Sequence, residues 1–108
     1  MAVTALTDAD FVETLADTPL AIVDFHAGWC GPCIMFKPKF KRISADYEGT
    51  VAFFMVDGEA NPIARKSVTI DNLPWFGIYR NGILVAGKSM SKEEAFRAFV
   101  DKHVGEDG

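Results

Sequence analysis

The sequence has too little of several ingredients to support some broad classes of protein. Only two of the 108 residues are cysteine, which excludes a small scaffold held together by several disulfides. Eleven Lys and Arg residues against fifteen Asp and Glu residues give a net charge of −4, so no domain-wide basic surface favours nucleic-acid binding. The apolar runs, of which residues 51–56 are an example, are far shorter than the roughly 20 residues needed to span a bilayer.

The length and the composition predict one folded domain over residues 1–108. Hydrophobic residues make up 49% of the chain and charged residues 24%, a balance that excludes an intrinsically disordered protein. A chain of this length can bury one core without obligatory disulfides. The first residues, MAVTALTDAD, lack a basic segment followed by an apolar run, so we do not expect a secretory signal.

The two cysteines, Cys30 and Cys33, lie close together in the sequence. A bond between them would close almost no loop and would stabilise the fold little, so we expect the pair to be chemical rather than structural. The alternatives are a static disulfide and half of a zinc site. Zinc requires four ligands, usually two such pairs or one pair with closely spaced histidines, and only His26 and His103 are present. We therefore expect no metal.

Five segments carry the apolar patterns of β-strands: residues 3–6, 20–25, 51–56, 75–79 and 83–86. The second and third are nearly continuous apolar runs, which are typical of strands buried on both faces as in a parallel sheet. Asp24 interrupts the second run with a carboxylate. Asn81-Gly82, between the last two segments, is a strong signal for a hairpin that makes those strands antiparallel.

Four segments carry helical patterns and alternate with the strands. The first two are predicted over residues 8–17, with Thr7 as N-cap, and over residues 32–47, with a kink at Pro38. The third begins at Asn61-Pro62, and the fourth begins with Ser-Lys-Glu-Glu at Ser91, which is a capping box. The element order is β-α-β-α-β-α-β-β-α, which predicts an α/β fold with a mixed central sheet and helices on both faces.

The spacing of Cys30 and Cys33 predicts redox chemistry at the start of a helix. Cys30 would lie at the helix N-terminus and Cys33 one turn inside, so free N–H groups and the helix dipole favour a thiolate at Cys30. The thiolate is the nucleophilic form of cysteine. It would attack a target disulfide to form a mixed disulfide, which Cys33 would then break. Cys-Gly-Pro-Cys after a buried strand in a βαβ context strongly indicates this reaction.

Residues 23–33 read VDFHAGWCGPC and resemble the strand and the active-site turn of the thioredoxin family. Leu73-Pro74 resembles the family loop whose proline is cis and faces the cysteines, and Asn81-Gly82 matches the family hairpin. The resemblance covers about residues 3–104.

This resemblance implies a thioredoxin fold, with five strands in the order 1-3-2-4-5, and protein dithiol–disulfide exchange in the reducing direction. It implies that Cys30 attacks, that Cys33 resolves, and that Asp24 helps to deprotonate Cys33 through water. It also implies a cytoplasmic monomer without metal or organic cofactor, disulfide-containing target proteins, and re-reduction by a thioredoxin reductase or an equivalent electron donor. The residues expected to bind substrate are Trp29, Gly31, Pro32, Ile34, Pro74 and Trp75.

Four residues depart from the family pattern. Ile34 stands where a basic residue usually follows the second cysteine, and Phe53 stands where a lysine commonly neighbours the buried aspartate. Trp75 replaces the usual threonine after the proline, and His26 occupies a position that is more often aromatic or small. Trp29, Trp75 and Ile34 are either packing residues or an exposed apolar rim for docking. We expect His26 to be structural, although its titration would tune the cysteines.

The charge environment of Asp24 can also be predicted. Burial disfavours the charged form, and no nearby cation is evident in the sequence, so its pKa is expected above the usual value of about 3.9. The basic residues of the second helix are expected to form a solvated face rather than to act in the site; they are Lys37, Lys39, Lys41 and Arg42.

Two hypotheses of different classes are consistent with these residues. The first is a protein-disulfide reductase that acts through Cys30 and Cys33, and it is favoured by the intact cysteine motif with Asp24. The second is a thioredoxin-fold binding or assembly subunit with a specialised partner and an incidental dithiol. The unusual Ile34 and Trp75 favour the second.

Overall fold

In a computed structural model, which describes residues 3–105, five strands form one mixed sheet with helices on both faces. The strands are β1 (Val3–Ala5), β2 (Leu20–His26), β3 (Ala52–Asp57), β4 (Trp75–Arg80) and β5 (Ile83–Ser89). The helices are α1 (Phe11–Ala16), α2 (Gly31–Ser44), α3 (Pro62–Lys66) and α4 (Glu93–Val104), and one turn of 3-10 helix (Ala45–Tyr47) follows α2. These elements confirm the predicted order and the α/β class.

The strand β2 occupies the centre of the sheet, whose order is β1-β3-β2-β4-β5. It pairs in parallel with β3 and antiparallel with β4, and β1 extends the parallel half. Because β2 is paired on both edges and covered on both faces, its sequence is almost entirely apolar. The order is the one that the resemblance implied. Within residues 3–105, no helix is long and apolar enough to cross a membrane.

Two cores lie on opposite faces of the sheet. The face covered by α1 and α3 buries Phe11, Leu15 and Phe25. The face covered by α2 and α4 is built around five phenylalanines: Phe36, Phe40, Phe53, Phe76 and Phe96. The centroid of the Phe96 ring lies 4.8 to 6.0 Å from the other four ring centroids, and all four pairs are edge to face, a favoured geometry for aromatic pairs. This aromatic cluster holds α2 against the sheet.

The hairpin between β4 and β5 has the predicted two-residue turn. Asn81 and Gly82 have φ angles of 50° and 86°, the left-handed conformations that a type I′ turn requires at both central positions. The strand β5 continues to Ser89, three residues beyond the predicted end at Ala86. A register shift between Ile78 and Tyr79 marks a bulge in the pairing of β4 with β5. A bulge interrupts the alternation of side chains on which the prediction of strand length depended.

The first helix starts later than predicted, at Phe11 rather than at residue 8. Thr7 does not cap it: the Asp10 carboxylate accepts a hydrogen bond from the Thr7 N–H at 2.7 Å. Asp8 is directed elsewhere, because its carboxylate accepts the N–H groups of Ile63 and Ala64, at 3.1 and 2.8 Å. Asp8 therefore caps α3 from across the fold, a long-range contact that local sequence could not reveal.

The predicted capping box at Ser91 is wrong. The N-cap of α4 is Lys92, and no side chain caps the helix. The first helical residue, Glu93, forms ion pairs with Arg42 of α2 at 2.6 Å and with Arg97 at 3.0 Å. These contacts place the start of α4 against α2, so tertiary ion pairing and the apolar face of α4 decide where the helix begins.

The central position of Phe96 predicts a large loss of stability when its ring is removed. We expect Phe96→Ala to lower the free energy of unfolding by about 3–5 kcal/mol, because it leaves a cavity among four aromatic neighbours. Phe99→Ala, in the same helix but only partly buried, is the matched control and should cost clearly less. Denaturant unfolding measures both values. Equal losses in the two variants would contradict the assignment of Phe96 to the core.

Candidate active site

The two cysteines meet where the central strand passes into α2. Cys30 is the N-cap of α2 and Cys33 lies in its first turn. The two residues form a disulfide, with their Cα atoms 5.3 Å apart. The backbone N–H of Cys33 donates to Cys30 Sγ at 3.2 Å. The predicted juxtaposition of both sulfurs at a helix start is therefore present.

The helix terminus favours negative charge on Cys30 once the disulfide is reduced. Cys30 Sγ takes the place of a capping oxygen, and the first turn of α2 contains no acidic residue. Free N–H groups and the positive end of the helix dipole stabilise a thiolate there. In the disulfide form both cysteines are buried, with 5% of Cys30 and 4% of Cys33 exposed, so the helix cap distinguishes the two residues and exposure does not.

An open cavity of about 470 Å³ adjoins the disulfide. Three predicted site residues line it together with Cys30: Trp29, Gly31 and Pro32. Its opposite wall contains residues that the sequence reasoning missed: Gly58, Glu59, Arg65, Ile70, Asp71, Asn72 and Leu73. The strand topology could have predicted these residues, because the loops that follow the parallel strands β2 and β3 lie at the same edge of the sheet.

Trp29 joins the two walls of this cavity. Its side chain is 70% exposed, and its indole N–H donates to Glu59 Oε2 at 2.8 Å. Ile34 and Met35, just past the disulfide on α2, are 60% and 70% exposed. Met35 is a further residue that the sequence reasoning missed. We call these three exposed apolar residues, which flank the two cysteines in the sequence, the apolar rim (Trp29, Ile34 and Met35).

Trp75 does not belong to the apolar rim. Its side chain is only 6% exposed, and its ring packs edge to face against Phe25 at 5.7 Å. The ring also lies on Gly87, where any Cβ atom would collide with it. The expectation that Trp75 contributes to an exposed docking surface is therefore wrong, and the packing alternative holds. Its size is accommodated because Gly87 offers no side chain.

Pro74 is buried and follows a cis peptide bond from Leu73, as the resemblance implied. Its carbonyl oxygen accepts a hydrogen bond from the Met90 N–H at 3.4 Å. Leu73 lines the cavity and packs against the cluster that contains both cysteines. Residue 74 therefore holds the segment beside the disulfide, while residue 73 supplies the cavity wall.

Asp24 is buried in the middle of β2, with 1% of the residue exposed. Neither carboxyl oxygen has a hydrogen-bond partner within residues 3–105. Burial raises the pKa of Asp24 to about 7, and Lys37 opposes this shift. The expectation of a raised pKa agrees with the structure, but the expectation that no cation is near is wrong. The cation is Lys37 of α2. The expectation that Phe53 lies beside Asp24 is also wrong, because Asp24 pairs in register with Met55, and Phe53 pairs with Ile22.

Comparisons with known proteins agree with this geometry. The thioredoxin family model matches residues 2–102. An H-type thioredoxin from Chlamydomonas reinhardtii is 33% identical over 96 residues, which cover 89% of this chain and 85% of that protein. Thioredoxin from Staphylococcus aureus is 31% identical over 105 residues, which cover 96% of this chain and all of that protein.

Solved structures show the same fold. Plasmodium falciparum thioredoxin superposes with a TM-score of 0.87 at 27% identity, covering 94% of this chain and 99% of that one. Thioredoxin f2 from Chlamydomonas reinhardtii also gives 0.87 at 27% identity, covering 98% of this chain and all of that one. Membership implies disulfide-containing protein targets and a reductase as partners. The chain belongs to the thioredoxin family and is a protein-disulfide oxidoreductase that performs dithiol–disulfide exchange through Cys30 and Cys33.

Proposed function

We propose that this protein is a cytoplasmic, single-domain monomer that reduces disulfides of target proteins and is re-reduced by a thioredoxin reductase or an equivalent electron donor. It acts without metal, organic cofactor or nucleic acid. The observation that carries the proposal is the disulfide at the N-terminus of α2, beside an open cavity. The Gly31-Pro32 pair between the cysteines, which resembles that of reducing family members, supports the reducing direction.

The reaction proceeds in two exchange steps. The Cys30 thiolate attacks one sulfur of the target disulfide, so that a bond forms between Cys30 and the target while the other target sulfur leaves as a thiolate and takes a proton. Cys33 then loses its proton and attacks Cys30 Sγ, which forms the Cys30–Cys33 bond and releases the second target thiolate. Two electrons have passed from the dithiol to the target. The position of Cys30 at the helix cap supports its role as the attacking residue.

Asp24 is the proposed acceptor of the Cys33 proton. It lies on the face of the sheet that α2 covers, and burial raises its pKa to about 7. A carboxylate with a pKa near neutrality is a much stronger base than an exposed aspartate and exchanges protons readily at the pH of the cytoplasm. Its lack of hydrogen-bond partners within residues 3–105 leaves both oxygens available for this task.

The target segment is proposed to lie in an extended form between the active-site turn and the loop of Leu73 and Pro74. Gly31 and Pro32 border it on one side, without side chains large enough to block the approach to Cys30. Trp29 and Ile34 contact the residues that flank the target cysteine. Trp75 does not contact the target in this proposal. Its buried ring anchors the start of β4, directly after Pro74.

The alternative is a binding or assembly subunit with an incidental dithiol, and the exposed apolar rim favours it. An insulin-reduction assay with a chemical reductant separates the two functions. We expect the protein to accelerate insulin reduction above the reductant-only rate. Turnover equal to that rate would support the binding subunit and contradict the reductase.

The two cysteines should fail in different ways when they are replaced. We expect Cys30→Ser to abolish exchange, because the attacking thiolate is lost, and Cys33→Ser to attack and then remain as a mixed disulfide. Mass spectrometry of each variant after incubation with a disulfide substrate detects the adducts. Stable adducts through Cys33 in the Cys30→Ser protein, with none through Cys30 in the Cys33→Ser protein, would reverse the roles.

The apolar rim should select targets with apolar or aromatic residues beside the reactive cysteine. Ile34→Lys is expected to slow the reduction of peptide disulfides with aromatic flanks by roughly tenfold or less, because partial burial of one aliphatic side chain is worth on the order of 1 kcal/mol. Ile63→Lys is the matched control, since Ile63 on α3 is also well exposed, at 70% against 60% for Ile34, but lies outside the rim. Equal rates for aromatic and charged flanks in the parent protein, or a preference for acidic flanks, would refute this selectivity.

Asp24→Asn should change the dependence of stability on pH. The pKa of Asp24 is raised from 3.8 to about 7, so between these values the native state binds more protons than the unfolded state, and stability falls as pH rises. The loss is complete above pH 7 and amounts to at most about 4 kcal/mol. Asn carries no such charge, so the variant should gain stability over the parent in mild alkali and little in acid.

Denaturant unfolding of both proteins in mild acid and in mild alkali measures this difference, and reduction kinetics follow the Cys33 step alongside. The Asn variant should be slower in that step, because its amide cannot accept the proton. A variant that is less stable than the parent in alkali, or equally fast in exchange, would contradict the role of Asp24 as proton acceptor and make it a structural carboxylate.

A further inference from the structure

Arg65 brings a permanent positive charge to the wall of the cavity beside the disulfide. It lies on α3, is half-buried, and lines the 470 Å³ cavity together with Cys30. Of residues 3–105, no other arginine and no lysine lines this space. The open space next to Cys30 therefore has a single guanidinium in its wall.

Gly58 allows the Arg65 side chain to pack closely on the loop after β3. The Gly58 N–H donates to the His26 carbonyl oxygen at 2.8 Å, which joins this loop to the end of β2. A Cβ atom at position 58 would lie 3.2 Å from Arg65 Cδ and 3.5 Å from the His26 oxygen. Because glycine has no such atom, the Arg65 stem packs directly on this junction. Its guanidinium, which follows Cδ, is thereby held next to the strand that leads into the active-site turn.

The Arg65 guanidinium has no hydrogen bond or ion pair with any of residues 3–105. Arg97, which is also half-buried, pairs with Asp46 and Glu93, at 2.8 and 3.0 Å. A guanidinium presents its N–H donors in a planar fork that matches both oxygens of a carboxylate. Partial burial removes part of its hydration, so the missing partner of Arg65 points to an anionic ligand.

Two carboxylates also line the cavity, but neither forms an ion pair with Arg65. Glu59 Oε2 accepts the Trp29 indole N–H at 2.8 Å, and Asp71 is exposed. The remaining titratable group beside Cys30 is His26, and burial lowers the pKa of its imidazole. The cavity therefore presents separate positive and negative groups, an arrangement that suits a ligand with a carboxylate and an ammonium group.

The size of the cavity fits a small molecule rather than a folded partner. Its 470 Å³ falls within the roughly 300–1,000 Å³ of pockets that hold small ligands. Of the apolar rim, only Trp29 lines it, so Ile34 and Met35 remain outside for a protein target. Because Cys30 and Arg65 border the same space, a small disulfide can place a sulfur at one and a carboxylate at the other.

We propose, on the basis of the proposed reductase function, that Arg65 is a specificity-determining residue that binds the carboxylate of small disulfides. Amino-acid disulfides, which carry an ammonium group as well, would be a second substrate class beside protein targets.

The chemistry is the exchange already described, with a small molecule in place of the target protein. The Cys30 thiolate attacks one sulfur of the bound disulfide, and the other sulfur leaves as a thiolate that takes a proton. Cys33 then loses its proton and attacks Cys30 Sγ, which releases the second small thiolate and forms the Cys30–Cys33 bond. Two electrons pass from the protein dithiol to the small disulfide.

The net charge of the chain makes a preference for anions diagnostic. The charge is −4, so the long-range field of the protein favours cationic over anionic substrates. A faster reaction with an anionic disulfide must therefore come from a local positive group. Salt should weaken this preference, because it screens the attraction between the carboxylate and the guanidinium.

The test compares disulfides of similar size and different charge: dithiodipropionate is anionic, cystamine is cationic and hydroxyethyl disulfide is neutral. The protein is reduced, separated from the reductant and mixed with each disulfide, and the released small thiol is measured. Each rate is divided by the rate with dithiothreitol alone, which removes differences in intrinsic reactivity. Arg65→Gln removes the charge and Arg65→Glu reverses it. Lys66→Gln is the matched control, because Lys66 is the next residue of α3, is exposed and does not line the cavity.

We expect the parent to prefer dithiodipropionate over cystamine by roughly three- to tenfold, the range for a half-buried ion pair. Arg65→Gln should abolish this preference, Arg65→Glu should reverse it, and Lys66→Gln should keep it. Equal rates or a preference for cystamine in the parent would overturn the proposal. An unchanged preference in Arg65→Gln would also overturn it.

Insulin reduction by the parent separates this inference from the proposed function. A parent that reduces insulin but shows no preference for the anionic disulfide contradicts the role of Arg65 alone. A parent that does not accelerate insulin reduction contradicts the reductase function itself.

Discussion

The constraint on which the site depends is the passage from the central strand directly into the N-terminus of α2. Cys30 is the N-cap of that helix, and Cys33 follows within its first turn. The strand is paired on both edges and covered on both faces, so the sulfurs follow directly after the central strand of the sheet. A thiolate at the helix terminus needs such support, because the stabilising N–H groups act only at short range.

The same strand carries the least favourable group in the core. Asp24 lies among apolar neighbours, and its raised pKa reflects the cost of charging a carboxyl group away from water. Ordinary packing would favour an apolar residue at this position. A weak acid that titrates near neutrality suits the proposed transfer of the Cys33 proton to Asp24. Lys37 of α2 is the charged residue that opposes this shift.

The surroundings of the disulfide are divided between buried and exposed aromatic residues. Trp75 fills the space above Gly87 and packs on Phe25, so it belongs to the core. Trp29 remains on the surface, with its indole tied to Glu59. One tryptophan therefore belongs to the core, whereas the other is exposed beside the cavity.

The amino-acid sequence by itself determined the five strands, the order of elements, the Asn81-Gly82 hairpin and the cysteine pair, because periodicity, turn chemistry and short spacing are local properties. Tertiary structure alone decided the contacts between distant segments. Asp8 caps α3, and Glu93 pairs with Arg42 in place of a capping box. Asp24 has Met55 rather than Phe53 beside it in register, and its nearby cation is Lys37 of α2. The burial of Trp75 also depended on a glycine in the neighbouring strand. These outcomes arise from packing between segments far apart in the chain, which no local pattern encodes.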